Sequence, residues 1–332
     1  MSNFQTPTLR LLTRSDLADI ELEPSCVIQA VEDGYMALQE GKSDCPTKMM
    51  IGLPVESRDS IAFSMLGFDG HRDLVGYKTS YRHGNDNPGK YYTTISLYDD
   101  EHGTPYVLMD CQKVGASRTP ATTALIAREC ARPGATSATV LGTGIQAVNT
   151  LPYLLTALPE LTTLRLHGTH PVGLCSCQET FTRWFPDRQI ELVEQKDSAV
   201  RKAVETSDIT VVSSGRAWHP PIHTEWIPEG GLLISVASKG VADGAVAEAD
   251  RVIATSEGQF NLVGERLLRG RDVQLAATVP EILGGQKQGR TNESERIFAF
   301  SSGMIITDIP VAQELAVRVF AAGRGTEVPL WS

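Results

Sequence analysis

The stretch Ser137–Leu155, SATVLGTGIQAVNTLPYLL, has the residue types and spacing to hold a phosphate. A β-branched run enters a glycine-spaced turn, and a mostly apolar segment leaves it. In VLGTGIQA, Gly142 permits the tight turn and Gly144 lets the backbone approach a pyrophosphate. Ala147 takes the third small position, where the helix packs on the strand. Thr143, Ile145 and Gln146 complete the turn. The helix that starts here would offer free N–H groups and the positive end of its dipole to the anion. Alone, a G-x-G-x-x-A signature is weak and also fits a glycine-rich turn with no ligand. A strand before it, a helix after it and further strand–helix units downstream favour a dinucleotide.

The next strand, LRLHGTH, should end beside the adenosine ribose. An NAD site usually places Asp or Glu there to accept from the 2′-hydroxyl, about 20 residues past the turn. This chain offers Gly168, Thr169 and His170 instead. The missing carboxylate removes a repulsion against a 2′-phosphate, and Thr169 or His170 can donate to one. The coenzyme is therefore read as NAD or NADP, with NADP favoured slightly. Ser213 and Ser214, after ITVV, and Val236 and Lys239, after LLIS, should line the cofactor cleft at the carboxyl ends of their strands.

A metal centre is not expected. Cys175 and Cys177 lack a second close pair, and Pro220–Pro221 forbid the helix that would align His219 with His223. The six scattered cysteines read as reduced, mostly buried thiols of a cytoplasmic protein.

These residues must be positioned by a chain of 332, which fits two domains of ordinary size. A hydrophobic share of 41% and a charged share of 21% place it among ordered globular proteins. A net charge of -10 argues against nucleic acid or acidic membranes as partners. No apolar run approaches the ~20 residues that span a bilayer. The opening MSNFQTPTLRLL lacks the basic flank and apolar run of a secretory signal.

Before the glycine turn come a short strand, a helix from Pro24 to Gly41, and then KMMIGLP, SIAFSMLG, LVGYKTSY, YYTTISLYDD and PYVLMDC as consecutive strands. That order reads as α+β. A helix over Ser117–Ala131 follows. The short apolar runs ATVLG, TLRLHG, IELVEQ, ITVVSSG, LLISVAS and RVIAT then alternate with stretches able to hold helices, the mark of a parallel sheet. GMIITDIPVAQELAVRVFAAGRG closes as a helix with Pro310 in its first turn and Gly323 at its end. The expected fold class is α/β: a Rossmann-type doubly wound parallel sheet inserted into an α+β domain.

At MDCQKVGASRTPATTALIARECARPGATSATVLGTGIQA the chain resembles the ornithine cyclodeaminase/mu-crystallin family. The likeness continues through PPIHTEWIPEGGLLISVAS and FAFSSGMIITD, covering most of the chain from Lys78 onward. The resemblance implies a substrate-binding and dimerisation domain over 1–120 and 304–332, a NAD(P)-binding Rossmann domain over 121–303, and a homodimer. It implies hydride exchange between NAD(P) and a small amino or imino acid.

It further implies that Arg118 clamps a substrate carboxylate, a task that suits bidentate geometry. Thr119 would face cofactor or substrate. Lys78 would contact substrate and move protons, although by itself it reads equally as a solvated strand-end charge. Lys48 stands where many relatives have arginine, so its substrate contacts should differ. Asp308 would orient Lys78 or polarise substrate, or serve only as an N-terminal helix acid. Lys239 aligns where cyclodeaminases carry a catalytic carboxylate, with Asp243 four residues on. An ammonium cannot act as that base, so plain imine reduction or amino-acid oxidation is favoured. The alternatives are ornithine cyclodeaminase, giving proline and ammonia, and a non-catalytic NADPH-dependent binding protein. The basic loop with Arg82, His83 and Lys90 could serve a second acidic group, or be solvated loop charge.

Overall fold

The computed structural model describes residues 7–84, 89, 91–194, 197–214, 219–236, 240–268 and 270–331. The chain divides into two compact units. One comprises the residues up to Glu23, Asp33–Gly115 and Met304 onward; the other comprises Pro24–Glu32 and Ala116–Gly303.

The first unit holds β1 (Leu9–Leu12), α1 (Arg14–Leu17), most of α2 (Pro24–Gln39), β2 (Met49–Gly52), β3 (Ile61–Asp69), β4 (Leu74–Arg82), β5 (Tyr91–Asp99) and β6 (Thr104–Asp110). Its seven-stranded sheet runs β15-β1-β6-β5-β4-β3-β2, with β15 being Thr326–Val328. All pairs are antiparallel except β1 with β6. β4, LVGYKTSYR, shows why this is a strand: buried Leu74, Gly76, Lys78 and Ser80 alternate with half-buried or exposed Val75, Tyr77, Thr79 and Tyr81. The β5–β6 hairpin turns where Gly103 takes φ +63 and Asp99 accepts from the His102 N–H at 2.9 Å.

One face of this sheet is covered by α9 (Ile305–Ala321), whose Ile305, Ile309, Ala312, Leu315 and Val319 are buried. The helix comes close because the strands present glycine: a Cβ on Gly76 would lie 2.6 Å from Ile309 Cγ1, and one on Gly67 would strike Ile305. Pro310 lies in the second turn of α9 rather than the first. The carbonyl of Ile306, which the proline leaves without an N–H, faces Gly34 of α2.

The second unit is built on an eight-stranded sheet, β13-β12-β14-β11-β10-β7-β8-β9, parallel throughout. Its chain order is α3 (Gln112–Cys130), β7 (Ser137–Leu141), α4 (Ile145–Ala157), β8 (Thr163–Gly168), α5 (Pro171–Trp184), β9 (Glu191–Glu194), α6 (Asp197–Glu205), β10 (Ile209–Val212), β11 (Leu232–Ser235), β12 (Arg251–Ala254), α7 (Glu257–Leu268), β13 (Ala277–Thr278), α8 (Val279–Leu283) and β14 (Ile297–Phe300). The winding reverses between β7 and β10, which places a ligand crevice at their carboxyl ends. Asp208 aligns the two strands, accepting from Thr136 N and Ser137 N at 2.9 and 3.0 Å. The fold is α/β, with a doubly wound parallel sheet accompanied by a largely antiparallel one.

Several boundaries move. α3 begins at Gln112 rather than Ser117, because Asp110 accepts from the Gln112 N–H at 3.0 Å. Pro120 is tolerated inside α3 because Asn149 donates to the carbonyl of Ala116 at 3.0 Å, the group Pro120 cannot reach. Strand β15 follows the closing helix and pairs with β1. The first turns of α2 group with the second unit, where Arg128 grips Glu32 bidentately.

Candidate active site

The glycine turn sits where the parallel sheet needs it. Gly142 takes φ +125, a conformation that disfavours any side chain, and a Cβ there would lie 2.9 Å from Ser214 N. Its N–H donates to His167 O at 2.8 Å, and Ser213 N donates to Leu141 O at 3.0 Å, so the ends of β7, β8 and β10 meet. Gly144 caps α4 without a side chain, and a Cβ on it would find no protein atom within 4 Å. Thr143 is half-buried, Ile145 exposed, Gln146 half-buried and Ala147 buried. Thr143 also packs on Gly168 and Gly173, both of which would clash with it if they carried a Cβ.

Thr169 and His170 are exposed at the end of β8. His170 caps α5, its Nδ1 accepting from Gly173 N at 3.2 Å. In the neutral ring the proton is therefore on Nε2, a donor. Val236 is half-buried after β11, its N–H on Val212 O at 2.9 Å.

Among the described residues of this unit, the Oγ1 of Thr119, the Oε1 of Gln146 and the Oγ atoms of Ser214 and Ser301 are buried without a hydrogen-bond partner. Thr119, Ser214 and Ser301 are 5%, 4% and 3% exposed. Buried polar atoms rarely go unsatisfied, so these mark places where a polar ligand belongs. With the open cradle at Gly144, they fit a nicotinamide dinucleotide. Ser301 falls within FAFSSGMIITD, the closing segment that carries the family likeness, but the sequence assigns it no role of its own. Arg118 is half-buried with its guanidinium lying on Gly303, where any Cβ would collide with it.

In the other unit, β4 and α9 bring together two residues 230 apart in the chain: Lys78 Nζ donates to Asp308 Oδ1 at 2.7 Å. Their side chains are 5% and 0% exposed. Lys78 is thus not a solvated strand-end charge, and Asp308 is both a first-turn acid of α9 and the lysine's partner. Cys45 braces the same turn, its sulfur accepting from the N–H groups of Ile305 and Ile306. Burial, with the nearby Asp308 carboxylate adding to it, pushes this thiol up to about 11, so it stays protonated. Lys48 is half-buried just outside β2, and the register carries it toward the row of Met65 and Lys78.

Lys239 and Lys90 lie outside the described residues; Asp243 is exposed. Among the described residues no cluster of three or more His, Cys, Asp or Glu could hold a metal. His219 and His223 are separated in role: His219 Nδ1 donates to Pro220 O at 2.8 Å, and the His223 ring packs on Trp226 at 5.4 Å. All six cysteines are free, three buried (Cys111, Cys130, Cys177) and Cys175 exposed. No helix among the described residues is long and apolar enough to cross a membrane.

Residues 11–321 match the model of the ornithine cyclodeaminase/mu-crystallin family. Alanine dehydrogenase of Archaeoglobus fulgidus is 23% identical over 317 residues, covering 91% of this chain and 92% of its own. The solved Delta(1)-pyrroline-2-carboxylate reductase of Thermococcus litoralis, in complex with NADH and L-proline, superposes with TM-score 0.81 at 23% identity, over 96% of this chain and 100% of the other. A solved archaeal alanine dehydrogenase dimer with bound NAD gives 0.80 at 20% identity, over 98% and 100%.

Proposed function

The chain belongs to the ornithine cyclodeaminase/mu-crystallin family, and from that premise we propose that it is an NAD(P)-dependent oxidoreductase acting on the C–N bond of a small amino or imino acid. The single observation that carries the reading is the Lys78–Asp308 pair, buried in one unit and joined at 2.7 Å. Burying two charges costs more than packing two apolar side chains, so a buried pair is poorly explained by stability alone. It is well explained by proton handling.

When bound, the nicotinamide dinucleotide exchanges a hydride with the substrate α-carbon. Gly142, Gly144 and the start of α4 hold the pyrophosphate; Thr119, Gln146, Ser213, Ser214 and Val236 line the rest of the coenzyme site. Arg118 clamps the substrate carboxylate bidentately, with Lys48 as a second cation. Lys78 gives or takes the proton on the substrate nitrogen or an attacking water, and Asp308 holds its ammonium in place. Lys239 takes no catalytic carboxylate's part.

The coenzyme is NADP in preference to NAD: Gly168, Thr169 and His170 put no carboxylate at the ribose, and the His170 Nε2 proton suits a 2′-phosphate. The enzyme is a homodimer. Leu66, Tyr77, Tyr81 and Tyr92 are 46%, 45%, 37% and 59% exposed on the sheet face opposite α9, large side chains that a second copy would cover. The related alanine dehydrogenase is a dimer. Six free thiols suit the cytoplasm.

The test is fluorescence titration with NADH and NADPH, followed by their oxidation with 2-oxo acids plus ammonium or methylamine and with cyclic imino acids. Binding of both coenzymes, NADPH the tighter, and turnover of at least one imine are expected. Failure of both coenzymes to bind, or binding with no turnover of any substrate, overturns the reading.

A further inference from the structure

Resting on the coenzyme reading above, we propose that Gln259 and Ser301 hold the carboxamide group of the nicotinamide ring and so fix how the ring is turned. Gln259 lies in the first turn of α7, where Ser256, Glu257, Gly258 and Gln259 have the Ser-x-x-Gln spacing of a capping box. In such a box the hydroxyl accepts from the backbone of the fourth residue, whose side chain accepts from the backbone of the first. Helices α1 and α8 close theirs on both sides, Thr13 with Asp16 and Thr278 with Glu281. In α7 only half forms. The Gln259 N–H donates to Ser256 Oγ at 3.3 Å, while Gln259 Oε1 is buried without a hydrogen-bond partner. The residue is 1% exposed. An acceptor taken out of water and given no donor costs stability, and an apolar side chain would fill the space without that cost.

Ser301 shows the same anomaly just past β14. Its N–H donates to Ser235 O at 2.9 Å, but its Oγ has no partner at 3% exposure. The carboxyl ends of β12 and β14 are tied together beside it: Thr255 Oγ1 donates to Ser302 O at 2.8 Å and accepts from Ser302 N at 3.1 Å. Gln259 follows Thr255 by about one helical turn. The next residue, Phe260, packs edge-on against Phe300 with ring centroids 5.9 Å apart. The two unsatisfied atoms thus belong to the carboxyl ends of adjacent strands.

A doubly wound sheet consists of two mononucleotide-binding halves. The glycine turn after β7 opens the first, and β10, β11 and β14, side by side, form the second. β14 stands two strand spacings, about 10 Å, from β10 on the side away from the pyrophosphate turn. That half takes the nicotinamide nucleotide. An amide oxygen only accepts, whereas a hydroxyl can donate. A carboxamide answers both, its NH2 giving to Gln259 Oε1 and its C=O taking from Ser301 Oγ. A carboxylate would set oxygen against oxygen at Gln259, so the pair does not suit the substrate's acid.

The experiment measures, by titration calorimetry, the binding of NAD and NADP and of their 3-acetylpyridine analogues, in which a methyl group replaces the amide NH2. The wild type should bind each parent about 10- to 100-fold more tightly than its analogue, the range for leaving one buried acceptor unpaired. Gln259→Met should bring parent and analogue within about threefold, by weakening the parent alone. Ser301→Ala should weaken both by a similar factor, because both keep the C=O. The ratio is read on one preparation, so partial misfolding cancels; if Gln259→Met does not fold, Gln259→Ala supplies the ratio. A wild type that does not tell parent from analogue, or a ratio that neither Gln259 variant moves, overturns this assignment while leaving the oxidoreductase intact. A wild type that binds none of these dinucleotides overturns both.

Discussion

The two units solve the problem of placing a ligand in opposite ways. In the parallel-sheet unit the groups of the proposed site are backbone atoms and bare space, set by Gly142 and Gly144 within one turn. In the mixed-sheet unit they are two charged side chains, Lys78 and Asp308, delivered by elements 230 residues apart and packed through Gly67 and Gly76. One site is a local conformation that tertiary structure preserves; the other exists only as tertiary structure. On the proposed function, binding would be built from what the chain does not carry, and proton transfer from what it buries at a cost.

The sharpest way to break this contrast is to remove the charges. Asp308→Asn or Lys78→Met should lower kcat by about 10²- to 10⁴-fold, with coenzyme titration unchanged. Lys78→Met also strands a buried carboxylate and should cost about 3–5 kcal/mol, whereas Lys78→Met with Asp308→Leu should recover most of that in a denaturant melt. A double variant that kept wild-type turnover would show the pair to be mere packing.

On the other side, Gly142→Ala forces a side chain to φ +125 and against Ser214. The strain, about 1–3 kcal/mol, should weaken NADPH binding by roughly 10- to 100-fold. Equal affinity would mean that the turn does not hold the pyrophosphate.

The smallest effect concerns His167, whose carbonyl receives the Gly142 N–H. Burial pushes its imidazole down to about 4, against about 6.5 in an unfolded chain. As pH falls the unfolded state binds the proton first, so stability is intact above pH 6.5 and is lost between 6.5 and 4. The full loss is about 3 kcal/mol. His167→Leu should melt with a flatter pH dependence across that window; an unchanged slope would refute the assignment.

The same contrast explains what could be read from the chain directly. The Gly142–Ala147 turn, the strands around it and the alternation of β4 are properties of neighbouring residues, and periodicity reports them. The order of β14 in the sheet, between β11 and β12, follows from pairing at a distance. So does strand β15, three residues with no periodicity to detect. Lys78 and Asp308 were named through resemblance, but their bond depends on Gly67 and Gly76, glycines that look like flaws in strands until a helix lies on them. Gly303 under Arg118 has the same character. Ser301 lies in a segment that carries the likeness, yet no role for it is legible until its buried hydroxyl is found unsatisfied.

The pairing of β1 with β15, and of Lys78 with Asp308, has a consequence for how the protein is born. A ribosome adding roughly 5–20 residues each second makes Asp308 about 10–50 s after Lys78. Through that interval residues 116–303 can fold as they emerge, while the earlier strands wait, their lysine still hydrated, for the helix that will enclose it. Synthesis thus completes the parallel-sheet unit before the Lys78–Asp308 pair can form.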